Sequence, residues 1–477
     1  AESFAKFRRL ATLYATIKTH KEPMKPRFIA GGRNNTLELA NTWLHRVLWM
    51  LKPEADAIFT ETMRDIEAKE LKGRFGRQLV ESWIVNSSQD VVERVRAHNA
   101  NNNHLRTGPA ATAAERLRWS NLRGSRPTQS GVHDFSSLYT TFDHQVVRNC
   151  LERLLTRIFN KNRLPSGAEP LLVVRRSKSR DGDEDREEKK WQAGEMRPTT
   201  NVRSYSREQI VELLNFILDN AFVMVGGELL RQESGIPMGY GSSPMIANLV
   251  LALLEIEGIE GIIQDAKSPD GTVISTAQGD TPNTPETRIQ QFELAGRLSR
   301  CARMIDDVLF IDVSPEEQRW ALKRIYKPDA TGLNTTEECV SPQRVMHLDM
   351  EILEDHLGLY TTLYDKRDAL AEKGKMGEVR RFPNVDSVLA DSCKYGTYKG
   401  YLHRVHRVVM RRSRFAALAA QRAVEMWRQG YNARKLKSTA GSFVRYGYRP
   451  STRARAMRLR VNILIDAGIE RASKARA

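Results

Sequence analysis

The sequence predicts an α+β protein built from two or three subdomains, and three observations carry that reading. The chain has 477 residues, more than one compact core usually holds. Long stretches with apolar residues at helical spacing alternate with short β-branched and aromatic runs, two of which carry aspartates. The charge is also segregated. Net charge is +17, yet Tyr401 to Ala477 holds nineteen Lys and Arg against only Glu425, Asp466 and Glu470, so the first 400 residues are almost neutral. One terminal region therefore supplies the attraction for a polyanion, and nucleic acid is the partner such a balance favours.

Composition excludes several classes. No run of eighteen apolar residues occurs, which argues for a soluble chain without a membrane partner. The first twenty residues lack a signal-peptide hydrophobic core, and Ala1 suggests that the sequence begins inside a longer precursor. Cys150, Cys301, Cys339 and Cys393 lie far apart with no CxxC, pointing to an intracellular reducing compartment and no structural zinc. His403 and His406 share a helical face, but with arginines around them they suit phosphate or solvent better than a metal.

Residues 36 to 100 read as helical, with Leu39, Trp43, Val47 and Met50 on one face and Pro53 ending the first stretch. Asn99 to Gly131 reads as a surface connection leading to a strand at HDF. Residues 160 to 200 contain RRSKSRDGDEDREEKK, nearly balanced in sign, which reads as a solvated insertion. SREQIVELLNFIL predicts a helix capped by Ser206. ESGIPMGYGSSP predicts a glycine-rich turn feeding a long apolar helix, and a second polar loop follows near 265 to 290. CARMIDDVLFID predicts a β-hairpin with Asp306 and Asp307 at its tip. The basic terminus places Leu402, Val405, Val408, Phe415, Leu418 and Trp427 at helical spacing, so it reads as folded, with one packed side and one side for phosphates.

An isolated Asp-Asp pair ordinarily belongs to a solvated turn. Here two acidic stretches, 172 residues apart, each border a strand-like run, which is how carboxylates are presented from a sheet to divalent cations. Mg²⁺ binds few protein ligands and keeps water and phosphate oxygens for the rest, so two or three carboxylates suit nucleotidyl transfer.

The order of elements makes the pattern specific. HDFSSLYT, with Asp134 followed five residues later by Tyr139, resembles the first palm motif of reverse transcriptases. SGIPMGYGSSP resembles the second, with Gly235, Met238, Gly239 and the Ser243-Pro244 pair, and MIDDVLF resembles the third. LYATIKTHKEPMKPRFIA resembles the fingers signature of Penelope-like retroelement reverse transcriptases, which are related to telomerase catalytic subunits. HLDMEI, LYDKRDAL and the KYGTYKGYLHRVHRVV to RFAALAAQRAVEMWRQGY region are similar to the hairpin, the Tyr-Arg-Lys segment and the thumb of that group. Met304 departs from the Tyr usual before the Asp-Asp motif, as telomerases also do.

That resemblance implies a right-hand polymerase: fingers over 1–125, a palm over 126–358 made of an antiparallel sheet packed on helices, and a helical thumb with the basic terminus over 359–477. It implies an RNA-directed DNA polymerase that extends a primer 3′-hydroxyl with deoxynucleoside triphosphates, using two Mg²⁺ ions with Mn²⁺ as a substitute. The partners would be an RNA template with a DNA primer, a bound structured RNA being a further one, and the location would be nuclear. Asp134 and Asp306 would hold both ions with the Phe135 carbonyl, and Asp307 would tune the site. Lys18, Lys21 and Arg27 would meet the triphosphate or the templating base. Tyr139 would exclude a 2′-hydroxyl by clashing with it. Gly235 and Gly239 would let backbone approach the nascent base pair, with Pro237 and Met238 shaping the floor. Lys399, Arg404, Arg407, Arg411, Arg412 and Arg414 would grip duplex phosphates. A telomerase-type core and a non-catalytic nucleic-acid binder that kept the palm are the alternative readings.

Overall fold

A computed structural model of the chain describes residues 9–18, 25–32, 34–66, 82–107, 129–177, 186–194, 199, 202–267, 285–338, 344–355, 358–365, 382–447 and 452–474. Its strands are β1 (Ala11–Lys18), β2 (Lys25–Ala30), β3 (Ser130–Phe135), β4 (Leu171–Ser177), β5 (Arg186–Gln192), β6 (Val202–Tyr205), β7 (Phe222–Val225) and β8 (Glu228–Arg231), followed by β9 (Ala302–Met304), β10 (Asp307–Ile311), β11 (Thr335–Glu337), β12 (Arg344–His347), β13 (Met350–Asp355) and β14 (Gly358–Leu363). They form four small sheets, of order β2-β1-β7-β8, β11-β3-β10-β9, β12-β13-β14 and β5-β4-β6. The chain divides into two compact units, Ala1–Ile84 with Gly131–Glu338, and Val85–Ser130 with Cys339–Ala477.

In the first unit the β11-β3-β10-β9 sheet lies with helices. The helix Ser243–Lys267 is the centre of that core: it is buried nearly all round, from Met245 and Ile246 to Ile262 and Ile263, as the unbroken apolar run requires. Around it pack the helices Glu38–Ile66, His144–Lys161, Pro285–Leu298 and Pro315–Tyr326. His144–Lys161 buries Val147, Leu151, Leu154, Leu155 and Ile158 on one stripe and starts where the Asp143 carboxylate accepts from the Gln145 and Val146 amides. Pro315–Tyr326 begins with Pro at its first position and a capping box, in which Ser314 Oγ accepts from the Glu317 amide and the Glu317 carboxylate accepts from the Ser314 amide. The Ser206 cap of Arg207–Asp219 is likewise a full capping box with Gln209.

Two expectations are corrected. Pro53 does not end its helix, which runs from Glu38 to Ile66 with Pro53 inside it. Proline lacks the donor for the carbonyl one turn back and its ring crowds that turn. Lys189 of β5 reaches the same turn: its Nζ donates to the Met50 carbonyl at 3.1 Å and meets Glu54 at 2.5 Å. The charged segment 160–200 is accordingly not merely a solvated insertion. Its described residues fold as the antiparallel β4–β5 hairpin, with β6 on the other edge of β4. Leu172, Val173 and Val174 are buried, and Trp191 meets Phe159 edge to face at 5.0 Å. Three consecutive buried residues cover both faces of β4, a short apolar run that the charges around it hid.

The second unit joins the helix Ser88–Thr107 to the β12-β13-β14 sheet and to four helices, Asp391–Val408, Arg412–Arg428, Ala433–Gly447 and Thr452–Lys474. Asn99 fixes β14 by a two-way bond, donating to the Leu359 carbonyl at 2.6 Å and accepting from its amide at 3.0 Å. Tyr398, Leu402, Val405, Phe415, Ala419, Phe443 and Ile465 form the centre of the helical core. No helix among the described residues is long and apolar enough to cross a membrane.

Replacing Ser314 with Ala removes the acceptor that caps Pro315–Tyr326, and the expected loss is about 1 kcal/mol of unfolding free energy. Urea denaturation checks this value.

Candidate active site

Asp134 is the penultimate residue of β3, half-buried between the buried His133 and Phe135. Asp306 sits in the two-residue turn of the β9–β10 hairpin, whose flanking residues Met304 and Asp307 are paired across the ladder. The two strands are neighbours in one sheet, and the Phe135 amide donates to the Asp306 carbonyl at 3.0 Å. That bond joins the backbones of the two acidic stretches from positions 172 residues apart in sequence. Asp307 begins β10 and is half-buried. Among the described residues no group of three or more His, Cys, Asp or Glu side chains is placed to hold a metal ion. A carboxylate pair still fits Mg²⁺, which takes one or two protein carboxylates and completes its shell with water and phosphate oxygens.

The chain turns sharply after β3. Ser137 adopts φ 63°, and the short helix Leu138–Thr141 then presents Tyr139. Burial, then the Asp306 carboxylate, pushes the Tyr139 phenol up to about 12, while Arg27 and Arg303 pull it the other way. The ring thus stays protonated near neutral pH, with Asp306 and Arg27 both within electrostatic reach of it. Arg27 itself is exposed on β2, where it pairs in register with Thr16.

The glycine turn ties these pieces together. Gly235 and Ile236 donate their amides to the Phe142 and Tyr139 carbonyls, each at 2.6 Å, and His144 Nε2 lies 2.8 Å from the Gly235 carbonyl. At its other end the Ala30 amide of β2 donates to the Met238 carbonyl at 2.7 Å, and Ser243 Oγ donates to the Pro237 carbonyl at 2.6 Å. Both glycines have left-handed backbone, φ 84° at Gly235 and φ 106° at Gly239. A Cβ at Gly235 would lie 2.5 Å from the Tyr139 carbonyl oxygen, and one at Gly239 would overlap the Ala30 carbonyl. Glycine is required on both counts. An unbroken set of backbone bonds therefore runs from the Arg27 strand through the glycine turn and Tyr139 to Asp134 and Asp306.

Not every expected residue joins this set. Lys18 closes β1 opposite Lys25, and Lys21 lies outside the described residues. In the second unit Lys399, Arg407, Arg412 and Arg414 are exposed. Arg404 and Arg411 differ from the expectation of free phosphate-gripping cations: Arg404 pairs with Asp349 at 2.7 Å, and Arg411 pairs with Asp355 at 2.6 Å while lying over the Tyr360 ring. His403 and His406 both meet the Phe443 ring edge-on.

Sequence reasoning missed the residues beneath the acidic turn. Arg303 of β9 is fully buried and pairs with Glu255 of the central helix, 0% and 1% exposed. Tyr326 donates to the same carboxylate at 2.8 Å, and its ring stands edge-on to Phe135 at 4.8 Å. Two signals pointed there: Glu255, the first of two acids in the apolar run LVLALLEIEGI, and one base in the strand before Asp306.

No protein-family model and no curated protein sequence matches the chain. Solved structures similar to it include telomerase from Candida albicans in complex with the TWJ fragment of telomeric RNA, at TM-score 0.47 and 11% identity over 98% of this chain and 65% of that one. Apo telomerase from Candida tropicalis gives TM-score 0.41 and 11% identity over 97% and 62%. The BmCPV RNA-dependent RNA polymerase at elongation state gives TM-score 0.33 and 9% identity over 74% and 22%. The chain thus spans less than two thirds of the solved chains it resembles. Every score lies below 0.5, so the functional argument rests on the site.

Gly239→Ala should destabilise the protein by at least roughly 1–3 kcal/mol, through left-handed strain and displacement of β2. Gly241, with no atom within 4 Å of an added Cβ, is the control, and Gly241→Ala should be near neutral. Urea denaturation of both variants checks the contrast.

Proposed function

We propose that the chain is a template-directed nucleic-acid polymerase, and specifically an RNA-directed DNA polymerase of the Penelope-like or telomerase-related class. The observation that supports the reading is the Phe135 amide bond to the Asp306 carbonyl, because it joins the backbones of the two acidic stretches next to a tyrosine, an arginine strand and a glycine turn that are tied in by further backbone bonds. Asp134, Asp306 and the Phe135 carbonyl would hold two Mg²⁺ ions. When bound, these ions supply charge stabilisation to the attacking 3′-hydroxyl and to the leaving pyrophosphate. Arg27 offers a planar fork of donors to a triphosphate. The protonated Tyr139 ring forms a wall against which a 2′-hydroxyl clashes. Lys399, Arg407, Arg412 and Arg414 attract the duplex backbone without reading sequence. An RNA template, a DNA primer and deoxynucleoside triphosphates are the partners of this reading, and a nuclear location is part of it.

Primer extension with purified protein, on RNA and on DNA templates and with deoxy- or ribonucleotides, tests the proposal. Deoxynucleotide addition on RNA is the expected result. Absence of extension on every template overturns the reading. Asp306→Asn should lower extension by at least about a thousandfold, the scale of several kcal/mol of lost charge stabilisation, while duplex binding measured by fluorescence anisotropy stays near wild type.

Tyr139→Ala should raise ribonucleotide use relative to deoxynucleotide use by roughly 10–100-fold, the range that removal of a steric clash gives. Competition between matched nucleotide pairs in single-turnover addition measures the ratio.

A further inference from the structure

We propose that Arg303 is the positioning residue of the acidic turn: its buried guanidinium, balanced by Glu255, holds the Ile305 carbonyl and keeps the Asp306 carboxylate beside Asp134. The inference deepens the polymerase reading and rests on it. Ile305 has φ 59°, the left-handed region that a β-branched side chain avoids. Asp306, the other turn residue, has no positive φ. A two-residue hairpin with positive φ only at its first position ordinarily takes glycine there. Such strain persists only where the surroundings over-determine it.

The surroundings do so from two sides. Arg303 Nη1 donates to the Ile305 carbonyl at 3.2 Å, and the Phe135 amide donates to the Asp306 carbonyl at 3.0 Å. The rest of the guanidinium is spent on a fixed base. Nη1 donates to Asn248 Oδ1 at 2.8 Å, Nη2 to the Asn248 carbonyl at 3.1 Å and to Glu255 Oε2 at 3.3 Å, and Nε to Glu255 Oε1. The Arg303 amide donates to the Trp83 carbonyl at 2.6 Å. Glu255 also accepts from Tyr326, whose ring meets Phe135. The contacts close a circuit through Phe135, Asp306, Ile305, Arg303, Glu255 and Tyr326. A lysine would keep the charge and lose the planar fork that reaches the carbonyl and the carboxylate together.

A double-mutant cycle tests this, using wild type, Arg303→Lys, Ile305→Gly and the double variant. The readouts are folded fraction by circular dichroism, Mn²⁺ binding by electron paramagnetic resonance, duplex affinity and the single-nucleotide addition rate. Arg303→Lys should stay folded, bind duplex as wild type does, bind Mn²⁺ more weakly and add nucleotide roughly 10–100-fold more slowly, the scale of a small misplacement of a reacting group. In the Ile305→Gly background most of that loss should disappear, because glycine adopts the turn unaided. Multiplicative effects, or a loss that tracks the folded fraction, overturn the inference. Should Arg303→Lys not fold, Asn248→Ala replaces it in the cycle, with a smaller loss that Ile305→Gly must again offset. If wild type neither binds Mn²⁺ nor extends a primer, the polymerase reading fails on its own. Denaturation midpoints of the four proteins then decide the role of Arg303, a non-additive pair supporting it and an additive pair refuting it.

Discussion

A guanidinium with no exposed surface must be neutralised and hydrogen-bonded, because burying an uncompensated charge costs several kcal/mol. Arg303 meets that demand with Glu255, Asn248 and one turn carbonyl. The pairing joins three elements that local propensity alone would leave independent: a three-residue strand, the central helix and, through Tyr326, the helix Pro315–Tyr326. Removing one partner of such a pair typically costs 3–5 kcal/mol, whereas exchanging the whole set for apolar residues is often neutral. Stability alone therefore gives weak grounds for an ionic centre at this place. Its geometric effect, a fixed turn next to β3, is what an apolar replacement would not reproduce.

Close backbone approach is the second constraint. The glycine turn is wedged between the end of β2 and the Tyr139 helix, and its carbonyls and amides are consumed by those neighbours. Side-chain positions at the site thereby become properties of the backbone. Arg27, Tyr139, Asp134 and Asp306 share a frame set by short main-chain bonds, and all of them lie within the first compact unit.

Local signals in the sequence were strong where the physics is local. The β9–β10 hairpin, the Ser206 cap and the apolar run of the central helix each announce themselves through turn chemistry, capping residues or periodicity within a few positions. Pairings across long separations were not visible. Nothing near Lys189 shows that it meets the Met50 carbonyl and Glu54, and nothing near Arg404 or Arg411 shows that Asp349 and Asp355 await them. The charged segment around β5 misled for a related reason, since net composition hides the short apolar run of β4 that pairs with it. For the site, the acidic residues and the tyrosine were legible as a pattern of residue types, while the buried support beneath them needed three-dimensional adjacency.

The strand that carries Arg27 lies at the rim of its four-stranded sheet. Its sequence is KPRFIA, and Phe28 there is 53% exposed beside the equally open Tyr14 and Ile17 of β1. An open rim with apolar side chains is a template on which a second chain can add a strand, and cations or proline on that rim discourage the addition. Pro26 and Arg27 supply both. The guanidinium proposed above to meet a triphosphate thus also guards this rim, and resistance to strand addition constrains what else can stand at position 27.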